Sequence, residues 1–415
     1  MDLTTLILTV ASLAGLYMAW TIGANDVANA MGTSVGSGAL TLRGAIVVAA
    51  IFEFGGAMLV GGSVTNTIRK GIVDISALGN DPTVMAIGMT CCLLAAALWL
   101  NLATFAGWPV STTHSIVGAV VGFGVAAGGL GAVDWGTIGS IALSWVVSPV
   151  MGGILGYSLF IFLQKTILTA PDPLASIRRW GPILVFPIIS ILALSAMFKG
   201  LKPLRLDLTL GPALLIALGL GVVSSAVAVP IFARFAQTTT DDKEAALGRT
   251  EKEFKVLQVI TACFVAFAHG SNDEANEVGP LAAVFGAIKE GVTETVQVPY
   301  RVLLIGGVGI VVGLATYGYK IMATIGRKIT ELTPSRGFAA EFAAATTIVV
   351  ASKMGLPVST THTLVGAVVG VGFGRSIGAI NTRVLRGILA SWFITVPFTA
   401  LLAALLFLLA RLALL

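Results

Sequence analysis

The stretch "PVSTTHSIVGAVVG" occupies residues 109–122, and "PVSTTHTLVGAVVG" occupies residues 357–370. Twelve of the fourteen positions are identical at a separation of 248 residues. Chance identity over such a window is negligible, so the chain carries an internal duplication. A second pair of motifs keeps nearly the same spacing. "GANDVANAMG" spans 23–32 and "GSNDEANEVG" spans 270–279, with Asn25 and Asn272 separated by 247 positions. "TIRK" at 67–70 has a looser echo in "TIGRK" at 324–328. Each half runs from an Asn-Asp motif through a basic turn to a Ser-Thr-Thr-His motif.

Both motifs sit in an apolar chain. Of 415 residues, 56% are hydrophobic and 11% charged, with a mean hydropathy of +0.95. A soluble domain carries about 25% charged residues. There are too few charges here to coat a water-facing surface, and several runs reach the roughly 20 apolar residues that cross a bilayer. The composition predicts an all-α polytopic membrane protein. The 49 glycines suit close helix packing and helix breaks. The net charge of +5 is dispersed, which argues against nucleic acid as a partner. Cys91, Cys92 and Cys263 lie in apolar segments and do not form a disulfide framework. The first apolar run, "LTTLILTVASLAGLYMAW", lacks a basic flank and leads straight into the Asn-Asp motif. It reads as a retained helix rather than a cleaved signal.

Hydrophobic stretches predict helices near 3–22, 44–63, 84–106, 137–163, 182–198, 208–235, 254–269, 301–323, 338–354 and 383–412. Two short Gly-rich pieces, 115–128 and 363–374, follow polar motifs and read as halves of broken or re-entrant helices. The organisation expected is an N-terminal repeat over 1–163, additional membrane helices over 164–233, a connector over 234–255 and a C-terminal repeat over 256–415. With the short piece 115–128 counted, seven candidate spans precede the second Asn-Asp helix, an odd number that inverts the second copy in the membrane. Lys and Arg counts place the connector in the cytoplasm: Lys165, Arg178 and Arg179 with Arg234, Lys243, Arg249, Lys252 and Lys255 outnumber Lys199, Lys202 and Arg205. The connector's own charges read as a solvated face.

The polar motifs carry the chemistry. Pro109 and Pro357 suit the first turn of a following helix, which puts Ser111, Thr112 and Thr113, and likewise Ser359, Thr360 and Thr361, at helix N-termini. Free N–H groups and a partial positive charge make such an end an anion site. Two facing ends with rotatable hydroxyls could cradle a tetrahedral oxyanion without Lys or Arg. Ordinary N-capping by Ser or Thr is the plainer alternative. In the Asn-Asp motifs, Asn25 and Asn29 share a helix face, as do Asn272 and Asn276. Gly23 and Gly270 are read as points where the backbone unwinds. Carbonyls, amide oxygens and the carboxylates of Asp26, Asp273 and Glu277 are hard ligands suited to an alkali cation. A bound Na+ or proton would reverse the repulsion between these aspartates and an anion. Glu53 and Glu341 each stand alone in an apolar helix, where a charge costs at least roughly 2.5 kcal/mol, so both are functional candidates. His114, His269 and His362 fall in the motifs as relays, ligands or packing groups. Their spacing shows no zinc pattern, so no structural transition metal is expected.

At these residues the chain resembles the inorganic phosphate transporter (PiT) family. The resemblance rests on "GANDVANAMGTSVGSGALTLRGA", "HGSNDEANEVGPLAAV" and the paired "PVSTTH", and it covers both halves. It implies about twelve membrane segments in two homologous repeats and cation-coupled symport of inorganic phosphate across a prokaryotic plasma membrane. It implies no cofactor besides coupling ions, and a possible homodimer. It also implies that both motifs line the phosphate and cation sites, and that Glu53 and Glu341 are functional glutamates. A carboxylate acceptor could receive the proton of monohydrogen phosphate, which sulfate lacks. The second Asn-Asp copy departs from the first, with Glu274 for Val27 and Glu277 for Ala30. Sodium is favoured as the coupling ion. The alternatives are a proton-coupled carrier of phosphate or metal-phosphate, an intramembrane enzyme using His and Asp, and an anion channel.

Overall fold

Short polar punctuation ends each apolar run and sets the helix boundaries. The computed structural model describes residues 2–60, 72–74, 79, 81–200, 209–235, 242–290, 300–354, 356 and 358–414. Pro357, Lys202, Arg205, the "TIRK" turn and connector residues 236–241 lie outside them.

Helix α1, Leu3–Ile22, is capped by Asp2, which accepts from Thr5 N. It runs through a π turn, Gly23–Val27, into α2, Ala28–Gly36. α3 is Leu42–Val60. α4, Pro82–Ala106, starts at the Asp81 cap with proline in its first turn and stops at Gly107, whose φ of 71° is left-handed. α5 is Thr112–Gly128 and α6 is Trp135–Leu163, capped by Asp134. α7, Pro173–Gly200, and α8, Leu210–Phe235, pack on each other as a hairpin. α9 is Lys243–Asp273, α10 Ala275–Glu290, α11 Tyr300–Tyr317 and α12 Tyr319–Arg327. α13 is Pro334–Lys353, α14 Thr360–Arg375 and α15 Thr382–Leu414. Among the described residues there is no strand, only an isolated bridge between Val73 and Val133. Seven helical segments among them are long and apolar enough to span a bilayer, and the α11–α12 pair, bent by 71°, makes an eighth. Leu215, Leu401 and Leu412 stand exposed on outer faces, as lipid contact requires. The chain is a multi-pass membrane protein.

The packing pairs helices crosswise. α3 lies on α9, and α11 lies on α1. α5 lies on α15, and α14 lies on α6. The last two contacts use the GxxxG spacing of the repeated motif. A Cβ on Gly122 would sit 2.0 Å from the Ala400 carbonyl oxygen, and one on Gly370 would sit 2.0 Å from that of Gly153. Backbone therefore touches backbone at both crossings, and the two Ser-Thr-Thr ends are held at fixed depth.

Several sequence expectations change. The helix widens at Gly23 into the π turn Gly23–Val27 rather than opening into a loop, and Gly23 keeps helical angles (φ −58°, ψ −41°). Gly23 also admits α11: a Cβ there would fall 1.9 Å from the Ile310 carbonyl oxygen. Gly270 does the same for α3, with a Cβ position 2.2 Å from the Glu53 carbonyl oxygen. The stretch 301–323 is two helices, because the chain turns at Gly318. The helix expected over 254–269 begins at Lys243, so residues 243–255 of the connector extend the span. Their inner face is buried through Ala246, Thr250 and Phe254, and Glu251 accepts from Ser335 N and Oγ at 2.9 and 2.7 Å. That acid is part of a helix–helix contact, unlike the solvated face expected.

Candidate functional site

The two Ser-Thr-Thr ends meet in the core. Ser111 starts α5 and Ser359 starts α14, each with extended backbone. Their hydroxyls accept from His114 N at 3.2 Å and His362 N at 3.1 Å. Both serines are therefore N-caps, and each hydroxyl that accepts there keeps its own proton to donate. Thr113 Oγ1 donates to the Val358 carbonyl at 3.3 Å, and Thr361 Oγ1 lies 3.3 Å from the Val110 carbonyl. Behind these tips, the His114 and His362 rings lie tilted to each other with centroids 4.2 Å apart. Trp145 meets His114 edge-on at 3.6 Å, and Trp392 stacks on His362 at 3.4 Å.

The Asn-Asp motifs are laid across the tips, each reaching the opposite half. Asp26 Oδ2 accepts from the hydroxyl of Thr112 and, at 3.3 Å, from its backbone N–H. Asp26 Oδ1 accepts from Thr361 Oγ1 at 2.7 Å and from Asn29 Nδ2 at 3.2 Å. Asn29 Nδ2 also reaches Thr361 Oγ1 at 2.8 Å. In the counterpart arrangement, Asn276 Nδ2 lies 3.1 Å from Thr112 Oγ1 and 3.3 Å from Thr113 Oγ1. Thr360 Oγ1 donates to Asp273 Oδ2 at 2.6 Å. All these side chains are buried. Among the described residues, no Lys or Arg pairs with either aspartate. Asp26 thus occupies the anion seat at the N-terminus of α5.

The remaining candidates divide. Asn25 is committed to the turn before α5: its amide donates to Thr104 Oγ1 and the Trp108 carbonyl, and its Oδ1 accepts from Val110 N. Asn272 is buried beside Asp273. Glu53 lies against His269, with Oε2 2.8 Å from Nδ1, and His269 Nε2 lies 2.7 Å from Asp273 Oδ2. Glu53 therefore reaches Asp273 through an imidazole. Glu341 Oε1 accepts from Thr33, Ser34 and Gln258, and Oε2 from Thr261. It joins α2 and α9 to α13, and none of these hydrogen bonds involves a Ser-Thr-Thr residue. Glu274 and Glu277 are fully buried, and among the described residues none of their carboxylate oxygens has a hydrogen-bond partner. Sequence reasoning missed the donors around Glu341 and the His269 bridge. The i, i+4 spacing of His269 and Asp273 was the available signal for the latter.

A small cavity opens beside the tips, lined in part by Asp26, Asn29, His269 and Thr360. It has room for one water-sized body, too little for a tetrahedral oxyanion. Two larger clefts, between α6 and α13 and between α6 and α14, are apolar and lie on the outer faces of those helices.

Membrane-crossing helices around a buried polar centre define a multi-pass membrane protein. The sequence matches the phosphate transporter family over residues 22–403, and the chain belongs to that family. It is a transporter and not an enzyme. A Haemophilus influenzae chain named as a phosphate permease is 46% identical over 400 residues, covering 96% of this chain and 95% of that one. The chloroplastic inorganic phosphate transporter 2-1 of Arabidopsis thaliana is 42% identical over 421 residues, covering 97% and 72% respectively. A solved structure titled "The sodium-dependent phosphate transporter" is 40% identical, with a TM-score of 0.91, and the match covers 98% of this chain and all of that one.

Proposed function

We propose that the chain couples phosphate movement to sodium, binding phosphate between the N-termini of α5 and α14. One observation carries this reading. The Asp26 carboxylate holds the donors of both tips, Thr112 and Thr361, without a Lys or Arg partner among the described residues. A phosphate cannot take those donors while an unneutralised carboxylate keeps them. Na+ bound by Asp26, Asn29 and Asp273 would cancel that charge and turn the aspartates into bridges to the anion. The small cavity suits the ion, and parting of the tips would admit the phosphate. Asn25 holds the approach to α5, Asn276 orients Thr112 and Thr113, and Glu53 acts through His269. The two motif-bearing halves would move against each other about the tips, as repeats of a secondary transporter do, with the connector on the cytoplasmic side.

A sodium gradient and a pH gradient imposed separately on proteoliposomes test the coupling ion. Labelled phosphate should accumulate on the inward sodium gradient alone. Accumulation on the pH gradient alone would assign coupling to protons instead. Thr112→Ala and Thr360→Ala each remove one charge-assisted donor, worth about 1.5–3 kcal/mol. Each should weaken phosphate binding roughly tenfold or more, measured by equilibrium binding in sodium. Unchanged affinity in both variants would move the phosphate site away from the tips.

A further inference from the structure

We propose that Asp26, His269 and Asp273 also form a site for one divalent first-row transition metal ion, with His269 Nε2 as its nitrogen ligand. The proposal deepens the reading above, since it places a second kind of cation in the same cavity as the coupling ion.

The geometry points there from three sides. One potential ligand atom from each residue lies within 4.8 Å of the others, and all three residues are buried. Ligand atoms around a tetrahedral ion with bonds near 2.0–2.1 Å stand roughly 3–4 Å apart, so small side-chain rotations close the set. The unpartnered atoms supply the second argument. His269 Nε2 is 2.7 Å from Asp273 Oδ2, yet it lies outside hydrogen-bond geometry and has no other partner. Asp273 Oδ1 and Asn29 Oδ1 are likewise buried without partners among the described residues. Asn29 and His269 both line the cavity that holds one water-sized body.

The third argument lies behind the imidazole. His269 Nδ1 is 2.8 Å from Glu53 Oε2. A metal-bound histidine characteristically gives its other ring nitrogen to a carboxylate, which fixes the ring and raises the basicity of the ligating nitrogen. An alkali ion gains little from imidazole, whereas zinc, cobalt and manganese accept a mixed nitrogen and carboxylate set. Gly270 permits the arrangement by letting the backbone of α3 at Glu53 touch α9. His269 and Asp273 share a helix face at i, i+4, and Asp26 arrives from the other half of the chain. A transition metal in this cavity would exclude sodium and so inhibit uptake.

The test is a titration of the purified full chain with Co2+ in buffer free of sodium and phosphate. One Co2+ per chain should bind with a visible d–d band distinct from that of the aqua ion. Zn2+ should abolish the band, and added Na+ should weaken Co2+ binding. Glu53→Gln should weaken binding roughly 10–100-fold. His269→Gln should remove the nitrogen contribution to the cobalt X-ray absorption spectrum. Absence of the band, or wild-type binding in both variants, overturns the site. The same preparation, treated with chelator and reconstituted, is assayed for sodium-driven phosphate uptake. Uptake without Co2+ binding removes the metal site alone. Co2+ binding without sodium-driven uptake keeps the metal site and removes the coupling reading.

Discussion

Asp26→Asn is expected to reduce sodium-driven phosphate uptake by about two orders of magnitude or more. The carboxylate accepts from Thr112, Thr361 and Asn29, and breaking one side of a buried charged network costs roughly 3–5 kcal/mol. The loss reaches further than hydrogen bonding. Asparagine cannot neutralise Na+, and its amide nitrogen would point a donor at donors already present. The sodium dependence of uptake should therefore collapse along with its rate. Labelled uptake by reconstituted variants, normalised to folded protein, measures both. Sodium-driven uptake within about threefold of wild type would remove Asp26 from the coupling site.

Gly122→Val and Gly370→Val are expected to abolish folded protein. Each position lies where helix backbones touch, with Cβ positions 2.0 Å from a carbonyl oxygen. Even alanine would push the helices apart. Overpacking costs about 1–3 kcal/mol and more when backbone must move, and valine adds two further methyl groups. Gly211→Ala and Gly219→Ala on α8 are the controls, because nothing lies within 4 Å of their Cβ positions. Those two should be neutral or stabilising by up to about 1 kcal/mol. Thermal unfolding and the monodisperse fraction in detergent distinguish the pairs. A Gly122→Val protein as stable as wild type would contradict the close crossing of α5 and α15.

The sequence was most informative where polar residues recur in an apolar setting. The repeated Ser-Thr-Thr-His motif marked the starts of α5 and α14, because capping hydroxyls and an apolar run are local signals; Pro109 lies ahead of the Ser111 cap and not in the first turn expected for it. Gly23 was only half legible: glycine serves both where a helix loosens and where a neighbour comes close, and here it opens a π turn and also admits Ile310. Glu53 and Glu341 looked alike, each a lone acid in an apolar helix. Their surroundings differ because the partners arrive from distant segments: His269 for Glu53, and Thr33, Ser34, Gln258 and Thr261 for Glu341. Tertiary placement also unites Asp26 with His269 and Asp273, which no linear spacing announces. The break at Gly318 escaped because the apolar pattern continues across it.

The central claim is that helix N-termini and threonine hydroxyls, rather than Lys or Arg, hold the transported anion. Arsenate has the shape and charge of phosphate and an anomalous X-ray signal, so crystals grown with arsenate and sodium locate the anion directly. The account predicts an arsenic peak between the starts of α5 and α14, its oxygens within hydrogen-bond reach of Thr112, Thr113, Thr360 or Thr361. A peak beyond reach of both threonine pairs, or one coordinated by Lys or Arg side chains, would contradict it.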